Sequence, residues 1–391
     1  MFRFRVVWVS LTLLGATTAS PLPKDDEKSV GNEKLNEKTL RQVTLLMRHG
    51  QRAPVSTYPN DPYLNSTMEP YGWGQLTNKG RLNVYNEGLY LRDRYGNFLG
   101  SEYTPTKFWL QSTSADRAKM TAMILASALW KPDEKQTFKP DVNWQPVVLH
   151  YWTRTEDKLL IIWNACPKYT MERMKIQNET LVQNMNKKYK PMFEEVEHLS
   201  GQKMNSLSDI SDIYGTLKSE ETMGLQLPEW TKDYYPEQME PLSNFHLAMN
   251  VFNEELRRLA GGPFLKKLTR KMKEKAEGTL KPPQRKMYAY IAHDNTLANI
   301  LTALNVWDRK DPGYNAMILF ELHENHEKWY VQVFYKNSPD YKTEPLDIPG
   351  CGTSCTLDEF IEATKSVIPE NYEEECKVDD PNYVIPNAPP A

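Results

Sequence analysis

Val43-Thr44-Leu45-Leu46-Met47-Arg48-His49-Gly50-Gln51-Arg52-Ala53-Pro54 is the stretch that decides the fold. It opens as a run of apolar and β-branched residues, the pattern of a buried strand. It then turns abruptly into two arginines, a histidine, a glycine and a proline. Buried strands of α/β sheets present polar residues at their carboxyl ends, where ligands bind. Arg48 and Arg52 would set two permanent cations with planar donor forks on either side of His49. Gly50 permits a close backbone approach or a positive φ, so the imidazole can turn into a site. Pro54 ends the segment rigidly. An isolated Arg-His pair is usually a basic surface turn, but the five fixed positions of R-H-G-x-R-x-P argue against that reading.

Two further segments follow the same plan. Lys107–Gln111 predicts a second strand that delivers Ser112-Thr113-Ser114-Ala115-Asp116-Arg117 at its carboxyl end, with Ser114 or Asp116 opening a helix. Met287–Ala292 is an apolar run, and Lys286–Ala292 predicts the strand that carries His293-Asp294 to the start of another helix, Leu297–Leu304, with Asp294 or Asn295 at its amino end. With these three segments in this order, the chain resembles the histidine acid phosphatases, a branch of the phosphoglycerate-mutase-like superfamily, and in particular the prostatic, lysosomal and insect venom types. The resemblance rests on R-H-G-x-R-x-P at 48–54, S-T-x-x-D-R at 112–117 and His293-Asp294.

The resemblance implies an α/β fold: a three-layer phosphoglycerate-mutase-like core with an inserted smaller helical cap domain. It implies a phosphoric monoester hydrolase acting at acidic pH through a phosphohistidine, with no cofactor and no metal. His49 would be the nucleophile and Asp294 the proton donor. Arg48, Arg52, Arg117 and His293 would bind the substrate phosphate. The chemistry is consistent, because a neutral imidazole attacks phosphorus and gives an intermediate that water opens. Neighbouring guanidinium groups disfavour protonated His49 and keep it neutral below the ordinary histidine value of about 6.5. Asp294 needs its proton when substrate is bound; the arginines push its pKa down, while desolvation and a phosphate dianion push it up. Gln51 departs from the family, many members of which carry an acidic residue there, and its neutral amide removes one arginine partner.

Composition limits the alternatives. The 391 residues are 40% hydrophobic and 11% aromatic, enough for one large domain or two moderate ones, and the formal charge is −3. That balance leaves no basic footprint for nucleic acid or anionic membranes. Residues 1–20 carry Arg3 and Arg5, the apolar run Val6–Gly15 and small residues after it: a secretory signal peptide too short to span a membrane. No other stretch reaches spanning length, and Pro381–Ala391 lacks the apolar tail of a GPI signal. The expectation is a secreted, extracellular protein rather than one of the lysosomal lumen. Its four cysteines, Cys166, Cys351, Cys355 and Cys376, allow three pairings. The resemblance implies Cys166–Cys376 and Cys351–Cys355, without the family's middle disulfide. Asn65 and Asn178 begin glycosylation sequons.

Along the chain, 21–39 reads as a mobile charged arm, 40–150 and 245–370 as the discontinuous core, 151–244 as the helical cap and 371–391 as a tail. A helix capped by Thr77 or Asn78 runs to a C-cap at Gly96, with Arg92 and Arg94 structural. Asn184–Leu199 and Leu207–Ser219 look helical. Phe245–Arg270 looks helical until Gly261-Gly262-Pro263 interrupts it. Asn315–His323 and Lys328–Lys336 form a hairpin about Glu324-Asn325-His326-Glu327. His323 and His326 sit there without a third ligand, so they are not read as a metal site. His198 is a solvated helix residue. Trp144-Gln145-Pro146 with His150 resembles the dimer-contact segment of the prostatic-type enzymes, which implies a homodimer with Trp144 and His150 in the interface. Small phosphomonoesters are the expected substrates, with phosphoproteins a further class. An inositol-polyphosphate phosphatase of the same fold is the nearest alternative, and it would want more basic residues around its pocket. A catalytically silent secreted binding protein would be expected to lose one of His49, Arg52, Arg117 or Asp294, and all four are present.

Overall fold

The computed structural model describes residues 36–380 and 382–386. The signal peptide and all but the end of the amino-terminal arm, residues 36–39, lie outside the described residues, as do Pro381 and the last five residues of the tail. No helix among the described residues is long and apolar enough to cross a membrane.

Eight strands form one mixed sheet: β1 (Leu40–Arg48), β2 (Phe108–Ser112), β3 (Leu149–Tyr151), β4 (Met287–Ala292), β5 (Met317–Asn325), β6 (Lys328–Lys336), β7 (Glu344–Pro345) and β8 (Cys355–Thr356). Their order is β3-β2-β4-β1-β5-β6-β7, with β8 also on β6. The first four are mutually parallel and β5 turns back antiparallel on β1. Period-2 alternation divides their side chains between two apolar cores. Val43, Leu45 and Met47 with Met287, Ala289 and Ile291 face α1 (Asn78–Leu99) and α2 (Asp116–Leu129). Leu46, Tyr288, Tyr290 and Ala292 face α7 (Glu254–Ala276), α8 (Asp294–Ala303) and α9 (Leu357–Thr364). The result is three layers, helices on both faces of the sheet. Between β3 and α7 the chain is helical: α3 (Pro167–Lys175), α4 (Thr180–Ser200), α5 (Leu207–Met223) and α6 (Met239–Ala248), which share a third apolar cluster with Leu256 and Leu259 of α7. A short α10 (Tyr372–Glu375) ends in Cys376, which is disulfide-bonded to Cys166; Cys351 and Cys355 form the second bridge.

Two local readings are corrected, and one helix start falls at one of its two expected positions. The first long helix runs past Gly96 to Leu99, and Gly100, at φ 78°, is its cap; its amino end is capped by Thr77, whose hydroxyl accepts from the Gly80 amide. Helix α2 begins at Asp116, but no side chain caps it. Gly261-Gly262-Pro263 does not interrupt its helix; α7 runs straight through, and the break falls earlier, around Met249–Asn253. The glycines serve contact: a Cβ on Gly261 would lie 2.6 Å from Ala303 Cβ, and one on Gly262 2.2 Å from the Val367 carbonyl. Close approach of α8 and of the 365–369 turn selects glycine there, against its poor helix propensity.

The hairpin turn is His326-Glu327, both at positive φ (48° and 63°), as a two-residue type I′ connection requires. His323 is buried, hydrogen-bonded to Glu321 and Thr39, and no metal-binding cluster occurs among the described residues. Arg94 pairs with buried Glu321 at 2.7 Å, and Arg92 donates to the Gly100 carbonyl. His198 is exposed.

Candidate active site

The parallel register explains why residues distant in sequence meet. Arg48 is opposite Ala292 and Ser112 is opposite Ile291, so β1, β2 and β4 end together at the carboxyl edge of the sheet. The residues that follow, His49, Thr113 to Arg117 and His293-Asp294, therefore enter one space. The His49 amide donates to the Ala292 carbonyl at 3.0 Å and the Thr113 amide to the Ile291 carbonyl at 3.1 Å, which extends the register beyond the strands. The loop before antiparallel β5 arrives at the same edge, where the Asn315 amide donates to the His49 carbonyl. Gly50 acts through close approach rather than positive φ. A Cβ there would lie 2.7 Å from Val84, and one on Gly80 would lie 2.1 Å from the Gln51 carbonyl. The signature loop is thus pressed onto α1 at two glycines.

All six proposed catalytic and phosphate-binding residues, Arg48, His49, Arg52, Arg117, His293 and Asp294, line one cavity of about 610 Å³. His49 is buried, and its Nδ1 lies 2.9 Å from the Gly50 carbonyl oxygen. A carbonyl only accepts, so Nδ1 carries the proton and the lone pair is on Nε2. Arg117 Nε donates to that Nε2 at 3.0 Å. Burial first, then Arg117, His293, Arg48 and Arg52, hold His49 well below the ordinary histidine value. His293 is likewise held neutral by burial and by Arg117, Arg48 and Arg52, and its Nε2 lies 3.0 Å from the Thr113 hydroxyl.

Asp294, the first residue of α8, accepts from the Asn295 amide and pairs with Arg48 at 2.5 Å. Burial would raise its carboxyl, but Arg48, the Asn295 amide, Arg52 and Arg117 outweigh it and hold the group below its ordinary value. Arg48 also donates to Asp311 at 3.3 Å and to the Pro312 carbonyl, and lies over the Tyr314 ring at 4.6 Å. Asp311 in turn pairs with Lys218 at 2.9 Å. Arg52 donates to the Ala53 carbonyl and the Ser219 hydroxyl, both at 3.0 Å. Among the described residues, neither Arg52 nor Arg117 is paired with a carboxylate. Around His49 the cations Arg48, Arg52, Arg117 and Lys218 face two carboxylates, Asp294 and Asp311. That imbalance suits a dianion, and the guanidinium forks suit phosphate oxygens.

Sequence reasoning did not find Asp311, Tyr314, Lys218 or Ser219. The last two belong to α5, whose charged and hydroxyl residues read as ordinary helix surface. Gln51 points away from the cavity and donates to the Thr222 carbonyl near the end of α5. Trp144 is 42% exposed against Phe138, whereas His150 stacks on Trp109 of its own chain with ring centroids 3.8 Å apart. Asn65 and Asn178 are both exposed.

The comparison with known families decides the assignment. Residues 39–336 match the model of the histidine phosphatase superfamily, branch 2. This chain belongs to that family. Human lysosomal acid phosphatase is 34% identical over 353 residues, covering 87% of this chain and 81% of that protein. The venom acid phosphatase of Apis mellifera is 33% identical over 342 residues, covering 86% of this chain and 87% of its own. Human prostatic acid phosphatase is 33% identical over 349 residues, with 87% and 88% covered. The Hafnia alvei phytase in complex with myo-inositol hexakis sulphate shares the fold, with a TM-score of 0.62 at 16% identity over 87% of this chain and 98% of that one.

Proposed function

We propose that this chain is a secreted acid phosphatase that hydrolyses phosphate monoesters through a phosphohistidine at His49. The observation that carries the reading is the tautomer of His49. Its Nδ1–H is engaged by the Gly50 carbonyl, which leaves Nε2 as a lone pair among guanidinium groups. A phosphate dianion takes Arg117 from Nε2 and is held by Arg48, Arg52 and Arg117, while His293 donates to a further oxygen. Nε2 attacks phosphorus in line and the P–O bond to the alcohol breaks. Asp294, protonated in the complex because the dianion offsets the arginines, gives its proton to the departing alkoxide. Water then opens the phosphohistidine, with Asp294 as the base that takes its proton. Because His49 stays neutral well below ordinary histidine pH, acid supplies the Asp294 proton without silencing the nucleophile.

We take the helices of 151–244 as the cap over this cavity, Asn65 and Asn178 as glycosylated, and the protein as extracellular. Exposed Trp144, Val148, Tyr151 and Trp152 lie along and beside the edge strand β3 and fit a two-fold homodimer interface. In that interface Trp144 would meet the partner directly and His150 would act through its stack on Trp109. Hydrolysis of p-nitrophenyl phosphate across pH tests the reading: wild type should be active with an acid optimum and His49→Ala inactive at every pH. Activity that survives in His49→Ala would overturn it.

A further inference from the structure

The cavity extends well beyond the phosphate cradle, and its far wall carries an arginine that the chemistry above does not use. Arg173 of α3 is 4% exposed and lines the cavity. Its Nε donates to Asn250 Oδ1 at 2.9 Å, which leaves its terminal nitrogens as donors towards the cavity. Among the described residues, no carboxylate forms an ion pair with it. Glu172, its neighbour on the helix, is taken by Lys168 at 3.0 Å and Lys175 at 2.8 Å. Asp212, which also lines the cavity, is exposed and is not within ion-pair distance of Arg173. A buried guanidinium without a counter-ion is costly unless an anion completes it.

The groups beside Arg173 are donors as well. The Asn250 carboxamide oxygen is taken by Arg173, so its NH₂ is left as a donor. Tyr169 fixes that residue by donating to its carbonyl at 3.1 Å. His246 lines the cavity and is held neutral, pushed down to about 3 by burial and then by Arg173, so it carries one N–H at any working pH. Apolar side chains, Leu160, Ile161, Ile162, Met174 and Leu247, also line the cavity. Asn244 accepts from the Asp311 amide beside Arg48. Asn250 lies six residues on, past the end of α6 in the 3₁₀ turn Met249–Val251, roughly 10 Å along the chain.

We propose that Arg173, with Asn250 and His246, forms a second anion subsite that binds a carboxylate or phosphate on the organic part of the substrate, so that doubly anionic phosphate esters are the preferred substrate class. The subsite rests on the phosphatase reading of the cavity and adds a specificity to it.

The test is a length series of straight-chain alkyl phosphates, each ending in a carboxylate, a second phosphate or a hydroxyl, assayed on wild type, Arg173→Gln and Arg173→Lys. In wild type, kcat/KM for an anionic end should exceed that for the hydroxyl end by about ten- to a hundredfold at a matching length, chiefly through KM. That ratio should collapse towards one in Arg173→Gln and recover in part in Arg173→Lys. Whether the carboxylate or the second phosphate gives the larger ratio identifies the group recognised. If Arg173→Gln does not fold, Asn250→Ala replaces it and should lower the ratio severalfold. A wild-type ratio near one at every length would overturn the subsite, as would a ratio that survives the substitutions. If wild type failed on p-nitrophenyl phosphate itself, the phosphatase reading would fall; activity there without a charge preference would remove the subsite alone.

Discussion

Asp294→Asn separates the nucleophile from the proton donor. The substitution removes one carboxylate from Arg48 but leaves that arginine held by Asp311, by the Pro312 carbonyl and over Tyr314. Asp294 is partly exposed and buried Arg48 keeps Asp311 as a counter-ion, so the variant should fold. Phosphate affinity should be kept or strengthened, because a negative charge leaves a cationic site. Only the proton is lost. Alkyl phosphates need it as the P–O bond breaks, and their kcat should fall by roughly 10²–10⁴-fold. Nitrophenolate departs as an anion, so phosphorylation by p-nitrophenyl phosphate should suffer far less. Opening of the phosphohistidine would then limit turnover, since Asp294 also serves there as base. Steady-state kinetics on both ester types, with stopped-flow detection of nitrophenolate, would show a burst near one equivalent for the variant. The pH dependence carries a sign as well: alkyl ester hydrolysis in wild type should fall as pH rises and Asp294 loses its proton, and that limb should be missing in the variant. Equal losses on alkyl and aryl esters, with phosphate affinity unchanged, would refute the proton-donor role.

Arg117→Ala should lower kcat/KM by about 10²–10³-fold, as loss of a donor to developing charge does. It should also move the acid limb of the profile to higher pH, because Arg117 is, after burial, the leading cause of the depressed His49 pKa. Glu220 is fully buried beside Asp61, and burial, then Asp61, pushes it up to about 8 from 4.5. The folded state keeps a proton that the unfolded chain loses, so its contribution to stability is intact below about pH 4.5 and lost as pH rises towards 8. Glu220→Gln should therefore melt with wild type near pH 4.5 and be more stable at pH 7 by about 3 kcal/mol, several degrees in Tm. Thermal melts at the two pH values check this. Replacing Cys166 and Cys376, which close a separation of 210 residues, should cost about 5 kcal/mol by chain entropy, against about 2 for the four-residue Cys351–Cys355 loop. Denaturant titration of the two double-alanine variants should rank them in that order.

The part of the candidate site at the sheet edge was legible in sequence because it is local. Each of three strands ends in its chemistry, at 48–52, 112–117 and 293–294, and parallel pairing brings strand ends together. The three-layer core was expected from the family resemblance, not from any alternation along the strands. Asp311, Tyr314, Lys218 and Ser219 were not legible, because they reach the cavity from a loop and from a helix whose relation to the strands no short-range pattern encodes. Arg173 was hidden for a related reason: in Met171-Glu172-Arg173-Met174-Lys175 it looks like one more surface charge, and only burial without a carboxylate marks it out. Arg173 and Lys218 add cations to the cavity wall, the kind of residue an inositol-polyphosphate phosphatase would want around its pocket. Gly261-Gly262-Pro263 misled because glycine was read as a break, when contact with Ala303 and Val367 is what demands it.

The central claim, covalent catalysis at His49, is tested most directly by trapping the intermediate. Asp294→Asn mixed with a labelled aryl phosphate and quenched in alkaline detergent should carry close to one phosphoryl group per chain, stable to alkali, labile to acid, and located on His49 by peptide mass spectrometry. Formation at the rate of the nitrophenolate burst would establish it on the reaction path. A burst without label on the protein, or label on any residue other than His49, would contradict the account.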